Sequence, residues 1–146
     1  MKLLLEKGAN AKIRDTKGNT PLMAAASVGH VEACKVMLEA GQAIDLKNGI
    51  GQTALTIAVE NDHPSVIAYL VEKEANKNIT VKGNDLLMIA AANGAINSIK
   101  ALIMFGFSPF TKNFRGQTAL DVAKKAKQKK IVKLFERMQK DSSEKK

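Results

Sequence analysis

Cysteine, long apolar runs and signal-like segments are scarce in this sequence, and each shortage excludes a class of protein. The single cysteine, Cys34, rules out a disulfide framework and fits a reducing compartment. No apolar run approaches the ~20 residues that a membrane-spanning helix needs. The first run, Leu3–Leu5, is too short for the core of a signal peptide. We therefore expect an intracellular protein in the cytoplasm, with the nucleus as the alternative.

Side chains for catalysis or metal binding are equally few. There are two histidines, His30 and His63, and no His or Cys pair has the spacing of metal ligands. Cys34 falls on an apolar stripe, which predicts an inert core thiol. The segment 49–51 is too short for a phosphate loop and lacks the Lys-Ser/Thr that follows one. The sequence thus predicts no catalytic residue, no cofactor and no metal, and hence no enzyme.

The net charge of +9 is unevenly distributed. From residue 124 onward there are ten Lys or Arg and three acidic residues. The last 23 residues therefore carry a net charge of +7, and the rest of the chain carries +2. The run Lys124–Lys130 predicts a solvated face at the end of the domain. Nuclear import and contact with acidic lipid or nucleic acid remain alternatives. No aromatic residue is interleaved with the lysines, which argues against nucleic acid as a partner.

The sequence does contain one pattern four times, at residues 18–26, 51–58, 83–91 and 116–123. The anchor leucines, Leu22, Leu55, Leu87 and Leu120, are 33, 32 and 33 residues apart. A fixed period of this length is typical of stacked-repeat proteins.

Each copy reads as the start of a short helix. An oxygen side chain precedes the apolar run and can cap the free N–H groups of the first turn. The cap residues are Thr20, Thr53, Asp85 and Thr118. Pro21 stands at the first helical position, which needs no N–H. Gly29 and Gly94 predict the helix end. A second amphipathic pattern follows each copy, ending at Gly41 and Gly106 in two of them.

The period, the Gly-x-Thr-Pro-Leu start at residues 18–22 and the Gly29-His30 ending resemble the ankyrin repeat over nearly the whole chain. The resemblance implies an all-α solenoid of stacked helix-turn-helix pairs joined by hairpin-like loops. The predicted units are the C-terminal half of a truncated repeat (1–14), three repeats (15–47, 48–79 and 80–112), a C-terminal capping repeat (113–140) and a disordered tail (141–146). Of these, 48–79 is one residue short.

Two departures from the family pattern bear on stability. Its usual histidine is replaced by Met23, Thr56, Met88 and Asp121, so a Thr–His hydrogen bond is missing and we expect lower stability. Asp62 and Glu74 occupy positions where glycine is usual. A non-glycine residue in the left-handed conformation costs roughly 1–2 kcal/mol. We therefore expect repeat 48–79 to be the weakest.

The sequence opens in the middle of a repeat, at Leu3–Asn10, which matches the end of a second helix. We expect a fragment of a longer protein. As the alternative, a partner or a second copy of the chain covers the open face; otherwise we expect a monomer.

The resemblance implies that a protein partner binds at the loop tips and at the exposed face of each first helix. The residues predicted to contact it are Lys17, Asn19, Ile50, Gln52, Glu60, Val81, Lys82, Asn84, Asn93, Phe114, Arg115 and Gln117. Ile50, Val81 and Phe114 are notable because they place apolar side chains at turn tips. Four phenylalanines lie within residues 105–114 and form either an interface or packing between repeats.

The leading hypothesis is a non-catalytic protein–protein interaction module. One alternative is the regulatory or targeting part of a larger protein, such as a ligase adaptor, an enzyme or a channel. Another is a nuclear protein whose basic tail contacts nucleic acid. The repeated positions determine the fold, whereas the variable positions determine the partner.

Overall fold

The computed structural model describes residues 14–144, with side chains described as far as Asp141. Within this range the chain forms eight helices, and its β-structure is limited to one isolated bridge between Val81 and Asn84. The helices are α1 (Pro21–Ser27), α2 (Val31–Glu39), α3 (Ala54–Glu60), α4 (Pro64–Glu72), α5 (Leu86–Asn93), α6 (Ile96–Met104), α7 (Ala119–Lys125) and α8 (Lys129–Glu144). The predicted all-α class is confirmed.

The helices form four pairs stacked in one row. Within each pair the first helix packs on the second: α1 on α2, α3 on α4, α5 on α6 and α7 on α8. The first helices of neighbouring pairs also contact one another along the row, and α2, α4 and α6 do so on the other side. Each pair thus packs on its sequence neighbours, which is the predicted solenoid.

The core runs along the row between the two helix layers. The four anchor leucines are buried, and an alanine three residues after each of them is buried as well. These alanines are Ala25, Ala58, Ala90 and Ala123. Small side chains let the helices approach closely, while each buried leucine contributes about 1.5–3 kcal/mol. At the C-terminal end Phe135 of α8 is fully buried.

All four predicted caps are confirmed. The side chains of Thr20, Thr53, Asp85 and Thr118 each accept a hydrogen bond from the backbone N–H three residues ahead. The reverse bond is also present in three helices, where the residue that replaces the family histidine accepts from the cap residue's N–H. The acceptors are Met23 Sδ (3.4 Å), Thr56 Oγ1 (2.9 Å) and Asp121 Oδ2 (3.0 Å). These replacements therefore still satisfy an N–H group at the helix start.

A residue in the left-handed conformation lies shortly after the end of each of the first seven helices. After the first helices Gly29, Asp62, Gly94 and Lys127 have φ of 75°, 61°, 68° and 60°. After the second helices Gly41, Glu74 and Gly106 have φ of 93°, 67° and 98°. The predicted left-handed Asp62 and Glu74 are therefore confirmed, whereas Lys127 is a third such position that the sequence analysis did not single out.

One loop tip differs from the other three. In those three tips Asp15, Asn48 and Asn113 each accept two backbone N–H groups on a side-chain oxygen. In the third tip Val81 and Asn84 exchange two backbone hydrogen bonds across Lys82 and Gly83. Both central residues have positive φ, as in the tight turns of β-hairpins. This shorter turn accounts for the 32-residue spacing between Leu55 and Leu87.

The predicted partner contact of Val81 stays a prediction, and the residue flanks this turn, whose central residues are Lys82 and Gly83. Because the turn is one residue shorter, Val81 takes the place of Asn48 and Asn113, and its side chain is half-buried.

The first and last junctions between pairs are held by the same kind of contact, a side chain that donates to a carbonyl of the preceding pair. Between the first and second pairs His63 Nε2 donates to the Ser27 carbonyl at 2.9 Å, and the ring packs on Gly29. Between the third and fourth pairs Gln128 Nε2 donates to the Ala92 carbonyl at 3.3 Å.

The central junction has neither of these contacts, because Ala95 stands at the position of His63 and Gln128. There the Asp62 carboxylate accepts from the Ser98 N–H (2.8 Å) and from Asn97 Nδ2 (3.1 Å). The side-chain hydrogen bonds described across the central junction thus all involve Asp62, which caps the start of α6.

The end regions are described only in part. Helix α8 continues through Glu144, beyond the predicted repeat boundary at residue 140. The half repeat predicted at 1–14 lies outside the described residues except for Arg14, and residues 145–146 of the predicted tail lie outside them too.

A Gly29→Ala substitution tests the packing of the first junction. A Cβ at residue 29 would lie 2.6 Å from His63 Nδ1, whereas a Cβ at Gly41 would meet nothing within 4 Å. Both substitutions bear the left-handed strain, so Gly41→Ala is the matched control. We expect Gly29→Ala to lose about 1–3 kcal/mol more unfolding free energy than the control, measured by urea denaturation. Equal losses would show that the His63 contact contributes nothing.

An Asp62→Ala substitution tests the central junction. It removes both acceptors from the start of α6, and the loss of a cap lowers stability by about 0.5–2 kcal/mol. We expect faster amide hydrogen exchange in α6, with α1 and α2 unchanged. Asp62→Asn keeps one acceptor oxygen and should lie between the parent and the alanine variant. Faster exchange throughout the chain would contradict a local role.

Candidate functional site

The loop tips and the first helices enclose two grooves along one side of the solenoid. The first, here called the N-terminal groove, is lined by the tips at 14–19 and 48–52 and by side chains of α1 and α3 with Asn61. The second, here called the C-terminal groove, is lined by Asn84, Ala92, Arg115, Gln117, Val122, Lys125 and Ala126. Each groove thus brings together side chains that are far apart in the sequence.

The structure brings most of the predicted contact residues to these grooves. Lys17, Asn19, Ile50, Gln52 and Glu60 line the N-terminal groove. Asn84, Arg115 and Gln117 line the C-terminal groove. Lys82, Asn93 and Phe114 are exposed without lining either groove, and Val81 is half-buried in its turn.

Of the four charged side chains that line the N-terminal groove, Arg14, Asp15 and Glu60 are hydrogen-bonded within the protein. Asp15 accepts hydrogen bonds from the Asn19 N–H (2.8 Å), the Lys17 N–H (2.9 Å) and Asn19 Nδ2 (3.0 Å). These bonds, led by the Asn19 N–H, lower the pKa of Asp15. Gln52 Nε2 donates to Glu60 Oε2 at 2.6 Å, and Arg14 donates to the Lys47 carbonyl at 2.7 Å.

Two amide clusters tie neighbouring tips together. Asn48 Nδ2 donates to Asn19 Oδ1 (2.8 Å) and to Gln52 Oε1 (2.9 Å). Asn113 Nδ2 donates in the same way to Asn84 Oδ1 (3.1 Å) and Gln117 Oε1 (3.4 Å). Val81, which stands at the same repeat position, has no such group. The first two tips and the last two tips are therefore linked as two separate hydrogen-bonded units.

One repeat position that the sequence pattern did not single out contributes apolar side chains to both grooves. Two residues after each anchor leucine lie Ala24, Ile57, Ile89 and Val122. Ala24, Ile57 and Val122 line a groove. The available signal was an apolar residue placed on a different side of the helix from the anchor leucine, and of these residues Ile57 is itself buried.

Phe114 is the large aromatic side chain that this surface exposes. It is 78% exposed, and its ring lies across Gly83 of the preceding tip, where a Cβ would overlap the ring. The Arg115 guanidinium lies 4.9 Å from the ring centroid, in the range of a cation–π contact. Ile50 (62%) is the other exposed apolar tip residue.

The remaining phenylalanines of the 105–114 cluster do not share this exposure. Phe105 and Phe107 are partly buried and pack against the core, and Phe110 is half-buried. The cluster therefore divides into packing residues and one exposed residue, Phe114.

Outside the grooves, Met104 is 86% exposed at the end of α6 and was not selected from the sequence. The basic run at 124–130 ends α7, turns at the left-handed Lys127 and begins α8. It therefore belongs to a folded helical turn.

The histidines and the cysteine have structural surroundings. His30 Nδ1 accepts from the Ala33 N–H at 3.1 Å and so caps α2, and His63 joins two pairs as described above. Cys34 is fully buried, and burial raises the pKa of its thiol to about 11. Within residues 14–141, no three His, Cys, Asp or Glu side chains are grouped so as to hold a metal ion. Nor does the described chain contain a helix long and apolar enough to cross a membrane.

Comparison with known families agrees with the stacked geometry. A family model described as ankyrin repeats (3 copies) matches residues 1–81, and one described as ankyrin repeats (many copies) matches residues 70–123. The chain belongs to the ankyrin-repeat family, whose members are typically non-catalytic protein-interaction modules.

Three relatives illustrate where such segments occur. The chain is 34% identical over 132 residues to the potassium channel AKT2/3 of Arabidopsis thaliana, covering 90% of this chain and 16% of the channel. It is 28% identical to the L-asparaginase of Dirofilaria immitis, covering 90% of this chain and 22% of that protein. It is 36% identical to the probable E3 ubiquitin-protein ligase XBOS32 of Oryza sativa subsp. japonica, covering 66% of this chain and 20% of the ligase. The chain thus spans about a fifth or less of the length of these relatives.

The raised pKa of Cys34 predicts an unreactive thiol. With a pKa of about 11, the thiolate fraction at pH 7 is about one part in ten thousand, and the sulfur is shielded as well. We expect a thiol reagent to label native protein far more slowly than urea-unfolded protein, as measured by absorbance. Equal rates in both states would contradict the buried position.

Proposed function

We propose that this chain holds one protein partner at the loop tips and along the two grooves, through shape and side-chain complementarity and without bond chemistry. The observation that carries the proposal is the exposed Phe114 ring, which is fixed over Gly83 and flanked by Arg115. Aromatic and arginine side chains dominate the binding energy of protein interfaces. Burying this ring on binding removes apolar surface from water.

The rigidity of the surface supports the same proposal. The amide clusters around Asn48 and Asn113 fix neighbouring tips relative to each other before a partner arrives. A surface that is already ordered loses less conformational entropy on association. The partner therefore meets a preformed surface.

We further propose that the chain acts as the regulatory or targeting part of a larger protein inside the cell. The relatives that support this are a potassium channel, a probable ubiquitin ligase and, at 35% identity over 79 residues, a regulatory subunit of protein phosphatase 1 from Rattus norvegicus. Each is far longer than the matched segment. The buried free thiol of Cys34 suits a reducing compartment.

Photo-crosslinking from defined positions tests the binding surface. A photoreactive residue at Lys82 or Asn93 lies on the proposed surface, whereas one at Lys35 or Lys100 lies on the second-helix side. We expect the first two positions to crosslink one protein in cell extract and the last two to leave it uncrosslinked. Equal crosslinking from both sides would contradict the assigned surface.

Substitution of Phe114 tests the anchor. We expect Phe114→Ala to weaken binding of the crosslinked protein by roughly tenfold or more, the effect of losing a hot-spot aromatic, as measured by titration. Met104→Ala is the matched control, because Met104 is at least as exposed but lies at the end of a second helix. Unchanged affinity in a folded Phe114→Ala variant would rule out the anchor.

A further inference from the structure

The two grooves differ in the balance of charge along their walls. The C-terminal groove is lined by two cations, Arg115 and Lys125, and by no carboxylate. The N-terminal groove has two cations as well, but Asp15 and Glu60 line it with them. The C-terminal groove therefore carries a net positive potential, whereas the charges of the N-terminal groove cancel.

The amide side chains show the same contrast. In the C-terminal groove the oxygens of Asn84 and Gln117 both accept from Asn113, so their amide NH₂ groups are left to face outward from that cluster. In the N-terminal groove the corresponding NH₂ groups are already used, because Asn19 donates to Asp15 and Gln52 donates to Glu60. In the N-terminal groove the amide donors are bonded to carboxylates of the same groove. The C-terminal groove instead has amide donors and two cations to offer a ligand.

Part of the lining of the C-terminal groove is apolar, and Phe114 lies beside the groove. Val122, Ala92 and Ala126 form this apolar part, with the two alanines exposed. Phe114 precedes Arg115 and is in contact with its guanidinium. An arginine beside an aromatic ring, next to small apolar side chains, suits an acidic side chain whose neighbours are apolar.

We propose that the C-terminal groove recognises an acidic, extended segment of the protein partner. A glutamate or aspartate carboxylate lies between Arg115 and Lys125 and accepts from the amide groups of Asn84 and Gln117. An apolar side chain of the same segment packs on Phe114. This proposal rests on the protein-binding function proposed above and adds the chemistry of the partner. The N-terminal groove already supplies its own carboxylates and so does not select an acidic ligand.

The test uses a fluorescein-labelled peptide in which glutamate alternates with leucine, and a second peptide with glutamine in place of glutamate. Binding to the whole chain is followed by fluorescence anisotropy. We expect saturable binding of the glutamate peptide that weakens as salt is raised, because the charges are near the surface, and no saturable binding of the glutamine peptide.

Paired charge variants locate the site. We expect Arg115→Gln with Lys125→Gln to weaken binding of the glutamate peptide by roughly tenfold or more. Lys35→Gln with Lys100→Gln removes the same net charge from α2 and α6 and should leave binding unchanged. All four side chains are exposed, and circular dichroism checks that both variants fold.

Three results would overturn the inference: equal weakening by the two charge pairs, equal binding of the glutamine peptide, or tighter binding of a labelled oligonucleotide that the Arg115 and Lys125 changes abolish. The last would assign the groove to phosphate. Failure here remains distinct from failure of the proposed function. A partner that crosslinks at Lys82 and depends on Phe114, yet ignores the Arg115 and Lys125 changes, leaves the binding function in place and removes only the acidic segment.

Discussion

A pair of seven- to nine-residue helices is too small to shelter its own apolar side chains from water, and the rest of this structure follows from that constraint. The leucine and alanine rows of the first helices are buried against the second helix of the same pair and against neighbouring pairs. Stability therefore resides largely in the interfaces between neighbours, as expected for a quasi-one-dimensional fold. The terminal α8 is longer and closes the row with Phe135, while its outer side is rich in lysine.

The same constraint makes the quality of each junction matter. The outer two junctions repeat one solution, in which a side chain after the first helix reaches back to a carbonyl of the preceding pair. The central junction replaces it with Asp62, and its tip lacks the amide cluster found on either side. Since Asp62 also holds a left-handed backbone conformation, strain and capping are combined in one residue. The solenoid thus consists of two halves, each held by a side chain that donates to a carbonyl of the preceding pair, and Asp62 joins the two halves.

The fold could be predicted from the sequence to a large extent because its determinants are local and repeated. Thr20, Thr53, Asp85 and Thr118 cap helices through their own neighbours, and glycines end helices through their own φ. The short tip at Val81 could not be placed, since a one-residue deletion shows in the spacing without showing which turn absorbs it. The period assigned the missing residue to unit 48–79, whereas the shorter turn lies at Val81–Asn84, in the unit given as 80–112.

The candidate site was less predictable because it depends on contacts between repeats. The sequence pointed to Phe114 and Arg115 as tip residues, but not to the Gly83 backbone beneath the ring. Nor could the sequence show that amide NH₂ groups donate to the carboxylates of Asp15 and Glu60. The amide NH₂ groups of Asn84 and Gln117 have no carboxylate of their groove to donate to. Such differences depend on which side chains lie within hydrogen-bond distance in the folded chain, and the composition does not show this.

The C-terminal groove is assembled from two structural units, with Asn84 and Ala92 supplied by the third pair and Arg115 and Lys125 by the fourth. A ligand in this groove therefore contacts both the third and the fourth pair, across the junction between them. By linkage, ligand binding raises the free energy needed to separate those two pairs, and a change that destabilises the junction weakens ligand binding. Gln128 lies on that junction through its bond to the Ala92 carbonyl. Separation of the third and fourth pairs would accordingly divide the ligand site even while each helix stays folded.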